Sequence, residues 1–206
     1  MHGREAQSLL LEGASVEQVN QALFDFGMAM GPLAMYDLVG NDVMLAIADA
    51  AGTLPVLERL CTMNRLGQKT GRGWSQYDSQ RQASPDPETA ALIEQAAREA
   101  GIARRAIAPE EIVDRCVFAL VNEGARVLEE GMARRSSDID VVYMTGYGFP
   151  AWRGGPMFFA DLTGLDRVLA TIERFHREFG PRWRPAPLLQ QLAREGGTFG
   201  KWERRV

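Results

Sequence analysis

At 206 residues the chain has room for one large or two small domains. Its 46% hydrophobic and 24% charged residues are those of a folded globular protein, and a net charge of −4 argues against non-specific nucleic-acid binding. The two cysteines, Cys61 and Cys116, have no metal-like spacing and read as buried thiols in a reducing cytoplasm. The first fifteen residues lack an apolar signal core, and no run approaches the roughly 18 apolar residues of a spanning helix, so neither secretion nor membrane spanning is expected.

Helical signals dominate from the start. Ser15 and Gln18 have capping-box spacing and open a helix with Val16, Val19, Leu23 and Phe26 on one side. A short isolated strand fits Trp74–Tyr77. Asp86, Pro87 and Glu88 place a cap, a first-turn proline and an acid in order, which predicts a helix to about Ala100 that Gly101 stops. Residues 110–130 form the longest helix, with Ile112, Val113, Cys116, Leu120, Val127 and Leu128 as its apolar stripe and Gly131 at its end. Ser137 and Asp140 repeat the capping spacing. Thr163 is expected to cap a helix from Gly164 to about Phe179, ended by Gly180 and Pro181. No convincing set of alternating strands appears, and the fold class expected is all-α.

The chain also repeats itself. Glu5, Leu10 and Gly13 match Glu123, Leu128 and Gly131 at a spacing of 118 residues. Gly31, Pro32, Asp37 and Gly40 match Gly155, Pro156, Asp161 and Gly164 at a spacing of 124. The difference lies in the longer segment Gly146–Arg153 of the second copy. Pro55–Leu60 matches Pro187–Leu192, and each copy closes on glycine plus an aromatic, Gly73 with Trp74 and Gly197 with Phe199. A period this long means duplicated domains rather than a solenoid. The expected organisation is a first helical domain over 1–78, truncated at its start, a connector over 79–110 that is polar and then helical, and a second, degenerate domain over 111–206.

Chemistry-bearing patterns are sparse. No Gly-x-Gly-x-x-Gly follows a strand, and there is no Walker sequence or metal-ligand spacing. His2 is terminal, and His176, the other histidine, sits among Arg174, Arg177 and Glu178. No catalytic, cofactor-binding or metal-binding residue is therefore assigned, and independent acid–base or nucleophilic catalysis is not expected. Three segments remain. Around Gly27, a helix N-terminus at Gly31 and Pro32 ringed by Met28, Met30 and Leu33 offers open N–H groups beside an adaptable apolar surface, which suits a thioester carbonyl and an acyl chain; on the residues alone, a tight helix corner with core methionines is the favoured alternative. The loop Gly67–Tyr77 offers Lys69 and Arg72 to phosphate and Trp74 to a flat group, or else it is a strained turn with buried aromatics. Tyr147, Phe149, Trp152 and Arg153 form an aromatic loop that suits docking to another domain or subunit, or simple burial. Asp37 and Asp161 read as caps of the helices that follow them.

Taken as an ordered set, several stretches resemble the C-terminal region of 3-hydroxyacyl-CoA dehydrogenases, most of all the multifunctional fatty-acid oxidation α-subunit type that also carries an enoyl-CoA hydratase. In the first copy they are Arg4–Ala6, Leu10–Gly13, Phe26–Gly27, Met30–Pro32, Asp37–Gly40 and Lys69–Gly73. In the second they are Glu111–Cys116, Leu120–Glu123, Gly146–Pro150 and Arg153–Pro156. The likeness covers essentially the whole chain.

It implies a β-oxidation oxidoreductase whose NAD is held by a preceding Rossmann domain, where the catalytic His–Glu pair also lies. The family's substrate-positioning Asn would fall upstream of Met1, so the chain is expected to be a fragment or separately encoded remnant, inactive alone. In the second copy the equivalent place holds Asp114 followed by Arg115, which makes that copy a non-catalytic relic resembling the dimer partner of single-domain relatives. The implied role is one wall of the acyl-CoA cleft, with Met28, Met30, Gly31, Pro32 and Leu33 toward the acyl end and Lys69, Arg72 and Trp74 beside them. Implied partners are the acyl-CoA substrate, the Rossmann domain, a thiolase subunit and a second copy, in the cytoplasm. The competing reading is a non-catalytic dimerisation or docking module acting through Tyr147, Phe149, Trp152 and Arg153. An orphan domain with a new ligand also stays open.

Overall fold

The computed structural model describes residues 2–48 and 54–202. The protein is all-α, with one small two-stranded hairpin among the described residues. Residues fall into two compact units. The first holds His2–Phe26 and Met30–Val113; the second holds Gly27–Ala29 and the chain from Asp114 onward.

The first unit begins with α1 (His2–Glu12) and α2 (Val16–Phe26). Ser15 starts α2 as its spacing predicts: the Gln18 N–H donates to Ser15 Oγ at 3.1 Å, and the Ser15 N–H donates to Gln18 Oε1 at 2.8 Å. Three short helices follow, α3 (Pro32–Val39), α4 (Asn41–Ala48) and α5 (Pro55–Thr62). The apolar faces of α1, α2, α3 and α5 meet in a core of Leu9, Leu10, Val19, Leu23, Leu33, Leu57 and Leu60, each 1% exposed or less. Burying side chains of this size contributes about 1.5–3 kcal/mol each, which is what holds helices of eight residues that would not persist in isolation.

After α5 come β1 (Gln76–Tyr77) and β2 (Ala83–Ser84), paired antiparallel with Gln76 opposite Ser84. Then α6 (Pro87–Glu99) runs against α1 and α5. Asp86 caps it, accepting from the Glu88 and Thr89 N–H groups at 3.0 and 3.3 Å. Burial works to raise the Asp86 carboxyl's pKa, but hydrogen bonds from Arg65 and the Thr89 N–H, with the guanidinium's charge, hold it below the ordinary range. Arg65 itself is 4% exposed and reaches Asp86 at 2.6 Å, so the cap is also half of a buried ion pair.

The longest described helix, α7 (Pro109–Glu129), leads into the second unit. There α8 (Ser136–Gly146), α9 (Pro156–Thr163), α10 (Leu165–Phe179) and α11 (Pro187–Glu195) repeat α2 to α5 in order. Along α10, Val168, Ile172 and Phe175 fall at successive turns and are buried. Phe175 meets Trp183 edge-on at 4.8 Å.

Two expected caps are corrected. α8 starts one residue before Ser137, where Asp138 accepts from the Arg135 N–H at 3.0 Å. Asp140 points elsewhere. Thr163 does not cap α10 either: its hydroxyl donates back to the Phe159 carbonyl at 2.8 Å inside α9, and Gly164 (φ 92°) makes the corner.

Candidate functional site

The corner before α3 was the segment expected to face an acyl thioester. Gly27 turns the chain at φ 109°, and Gly31 is extended ahead of Pro32 at the first helical position. The open N–H groups expected there are not open. Those of Leu33 and Ala34 donate to Asn20 Oδ1 at 3.1 and 3.3 Å. A side chain from the middle of α2 thus caps α3 across space. Met28, Gly31, Pro32 and Leu33 are buried, whereas Met30 is 38% exposed. Of the five residues, Met30 alone presents substantial apolar surface.

The glycine loop after α5 is organised by one carboxylate. Asp37, 1% exposed, accepts from the Trp74 N–H at 2.9 Å, the Ser75 N–H at 3.0 Å, the Tyr77 hydroxyl at 2.9 Å and Asn41 Nδ2 at 3.2 Å. It is not a cap of α4, as its position suggested. It ties the loop to α3. Burial raises the Asp37 pKa, opposed by these four donors. The Tyr77 hydroxyl is driven upward as well, by burial and then by the Asp37 charge. A Cβ on Gly73 would lie 1.9 Å from Asp37 Oδ1, so the approach requires glycine there.

That clamp decides the fate of the loop's candidate ligands. Trp74 is 1% exposed and belongs to the core, not to an open stacking face. Lys69 reaches Asp42 at 2.5 Å, and Arg72 lies 3.7 Å from Glu88, so both cations already face carboxylates. Both pairs are about half exposed, so each contributes little to stability and its partners exchange at little cost.

The second unit repeats the clamp. Asp161, the mate of Asp37, accepts from the Phe199 and Gly200 N–H groups at 2.8 and 2.9 Å. It also repeats the cross-helix cap. Asp140, in the middle of α8, accepts from the Met157 N–H at 2.7 Å and the Phe158 N–H at 3.2 Å at the start of α9. Burial pushes the Asp140 carboxyl up to about 6, against the pull of these two N–H groups and with the Asp161 charge adding to the rise. Sequence reading missed Asn20 and Asp140 as a pair. The available signal was an acceptor side chain in each copy, in the helix preceding a Gly-Pro.

The aromatic loop splits in two. Phe149 is 2% exposed and meets Phe159 edge-on at 6.5 Å, so it is a core residue and not part of a docking face. Tyr147 and Trp152 are 51% and 72% exposed, and the Arg153 guanidinium stacks 4.1 Å above the Trp152 ring. Asp114 begins the second unit's share of α7, and its neighbour Arg115 is fully buried, 4.1 Å from the Phe179 ring. The structure thus uses Arg115 for packing. His176 is half-buried in α10. Among the described residues no group of three His, Cys, Asp or Glu side chains could hold a metal ion, and no helix is long and apolar enough to cross a membrane.

Comparison with known proteins agrees with this duplicated geometry. The peroxisomal bifunctional enzyme of Danio rerio is 40% identical over 226 residues, a match covering 98% of this chain and 32% of that protein. The fatty acid oxidation complex subunit alpha of Shewanella sp. (strain MR-7) is 32% identical, over 97% of this chain and 29% of its own length. Among solved structures, the dehydrogenase part of multifunctional enzyme 1 from C. elegans superposes with a TM-score of 0.74 at 27% identity, covering 92% of this chain and 45% of that one. The chain spans about a third of the length of the curated relatives it matches. The family model described as 3-hydroxyacyl-CoA dehydrogenase, C-terminal domain, matches residues 1–77 and again 112–205. With the same cap, the same clamp and the same helix order in both copies, the chain belongs to the 3-hydroxyacyl-CoA dehydrogenase C-terminal domain family and carries that domain twice.

Proposed function

We propose that this chain acts as the C-terminal helical part of an NAD-dependent 3-hydroxyacyl-CoA dehydrogenase of fatty-acid β-oxidation, in a protein that also carries an enoyl-CoA hydratase. The observation that carries this reading is the family match over both copies together with likeness to two multifunctional relatives over nearly the whole chain. In this reading the domains run over 1–78 and 111–206, joined by 79–110. NAD is bound by a Rossmann domain and not by these residues, and hydride passes between the 3-hydroxyl carbon and the nicotinamide there. This chain contributes a wall of the acyl-CoA cleft. Met30 offers the exposed apolar contact, Met28, Gly31, Pro32 and Leu33 shape the corner that presents it, and Lys69 and Arg72 turn from Asp42 and Glu88 toward phosphate. Trp74 supports that loop from within. The reading keeps the chain in the cytoplasm, while the relatives' names also allow a peroxisomal setting.

The test is direct. The purified 206-residue chain is expected to bind acetoacetyl-CoA weakly, to show no binding of NADH, and to give no turnover when both are supplied. Robust oxidation of NADH by this chain alone would overturn the reading.

A second reading rests on Tyr147 and Trp152, which stand exposed beside stacked Arg153. There the second copy serves as a docking face for a thiolase subunit or for another copy of the chain. Trp152→Ala that abolishes co-purification of such a partner, with acetoacetyl-CoA binding unchanged, supports it.

A further inference from the structure

Gly27–Ala29 lies within the second unit, although Phe26 before it and Met30 after it belong to the first. Contacts inside the second unit hold it there. The Ala29 N–H donates to the Gly148 carbonyl at 2.9 Å. Gly148 sits at φ 69°, and a Cβ there would stand 2.8 Å from the Ala29 Cβ, so the close approach needs glycine. Pro150 and Trp152 lie over Gly27: a Cβ on Gly27 would come within 3.1 Å of Pro150 Cβ and of Trp152 Cζ2.

The loop that makes these contacts is itself fixed. Phe149 is a core residue, and its N–H donates to the Tyr143 carbonyl at 3.0 Å. Pro150 is buried. Trp152, though exposed, carries the Arg153 guanidinium 4.1 Å from its ring, and that guanidinium lies 5.4 Å from the Phe159 ring as well. On the other side of the corner, Asn20 Oδ1 accepts from the Leu33 and Ala34 N–H groups, and a Cβ on Gly31 would stand 2.4 Å from the Asn20 Cα. Met30 is therefore the residue between two anchorages, Ala29 on Gly148 and Gly31 on Asn20. With fixed backbone on either side it has little room to rearrange by itself, and a shift at Ala29 moves it.

We infer that the loop Gly148–Trp152 is a positioning element for acyl-CoA: it fixes Gly27–Ala29 and so sets where Met30 meets the acyl chain. This role presupposes the acyl-CoA cleft proposed above. Gly148 and Trp152 are then positioning residues that act through the Gly27–Ala29 backbone and touch no substrate themselves. The loop belongs to the segment by which the second copy exceeds the first in length, so the extra residues of that copy have a task besides docking.

The experiment compares octanoyl-CoA with free CoA on the full 206-residue chain by calorimetric titration. The ratio of their dissociation constants isolates the acyl end from the nucleotide end. Gly148→Ala drives a methyl group against Ala29 and is expected to reduce the preference for octanoyl-CoA about fivefold or more, with CoA itself bound as before. Adding Ala29→Gly removes the opposing methyl and leaves ordinary contacts of 3.6 Å and more, so the preference should return to within about twofold of the parent. The strain of alanine at φ 69° is the same in both variants, so the rescue separates positioning from a general loss of stability. Trp152→Ala uncovers Gly27 at an exposed site and should reduce the preference too. The Met30 methyl resonance, assigned with Met30→Leu, reads the corner without ligand: it should shift in Gly148→Ala and return in the double variant. An unchanged preference in Gly148→Ala or Trp152→Ala, a loss that Ala29→Gly does not repair, or a Met30 methyl that stays in place would overturn the positioning role and leave the cleft reading intact. A parent chain that binds octanoyl-CoA no better than CoA would sink the cleft reading, and the positioning role with it.

Discussion

Asn20 and Asp140 hold the same place in the two repeats, and each caps a helix other than its own. Asn20 Oδ1 receives the first N–H groups of α3 and Asp140 Oδ1 those of α9. The glycine preceding each proline makes room for the contact: a Cβ on Gly31 would come within 2.2 Å of Asn20 Oδ1, and one on Gly155 within 2.4 Å of Asp140 Oδ1. Replacing Asn20 by Ala is expected to cost about 1–2 kcal/mol, the ordinary worth of such a cap, in urea unfolding. Gly31→Ala should cost more, above about 2 kcal/mol, because the Asn20 backbone as well as its side chain blocks the added carbon. Equal stability of Gly31→Ala and the parent chain would contradict the cap.

The two caps differ in charge, which gives a pH signature. The Asp140 pKa is raised to about 6 in the folded chain, against 3.8 for the free group. The folded state therefore holds its proton more tightly, and the stability this contributes is fully present below the free value and lost as pH rises through about 6. Asn20 has no counterpart. The difference in stability between Asp140→Asn and the parent chain should thus change between roughly pH 4 and 6 and be flat above about 7, measured by chemical unfolding across that range. A difference independent of pH would rule out Asp140 as the titrating group.

The loop after α5 should depend on Asp37 and hardly at all on Lys69. Asp37→Ala strands two buried backbone N–H groups and two side-chain donors, and should cost about 3 kcal/mol or more with exposure of Trp74 seen in its fluorescence. Lys69→Ala removes an exposed pair and should change stability by less than about 1 kcal/mol. If the cleft reading is right, that same Lys69→Ala chain binds acetoacetyl-CoA more weakly despite its unaltered fold.

Phe149 and Trp152 should behave oppositely. Phe149→Ala empties a core position and is expected to cost about 3–5 kcal/mol. Trp152→Ala, at a site 72% exposed, should leave the unfolding midpoint near that of the parent. Analytical ultracentrifugation of Trp152→Ala then tests self-association without confusion from misfolding.

Much of this protein was legible in its residues. Local signals placed α2 at Ser15, α6 at Asp86 and the glycine stops at Gly101, Gly131 and Gly180, because a cap or a positive φ is decided within a few residues of itself. The duplication and the all-α class followed from spacing and periodicity in the same way. What the sequence could not decide were contacts between residues far apart along the chain. Asp37 and Asp161 looked like local caps, but their acceptors serve loops 37 to 40 residues away. Asn20 and Asp140 looked like ordinary helix residues until packing brought the next helix start against them. Whether Phe149 was core and Trp152 surface, or whether Trp74 could meet a flat ligand, likewise turned on which face the tertiary structure covers. A carboxylate accepts from whatever donor the fold delivers, and only the folded chain determines which donor that is.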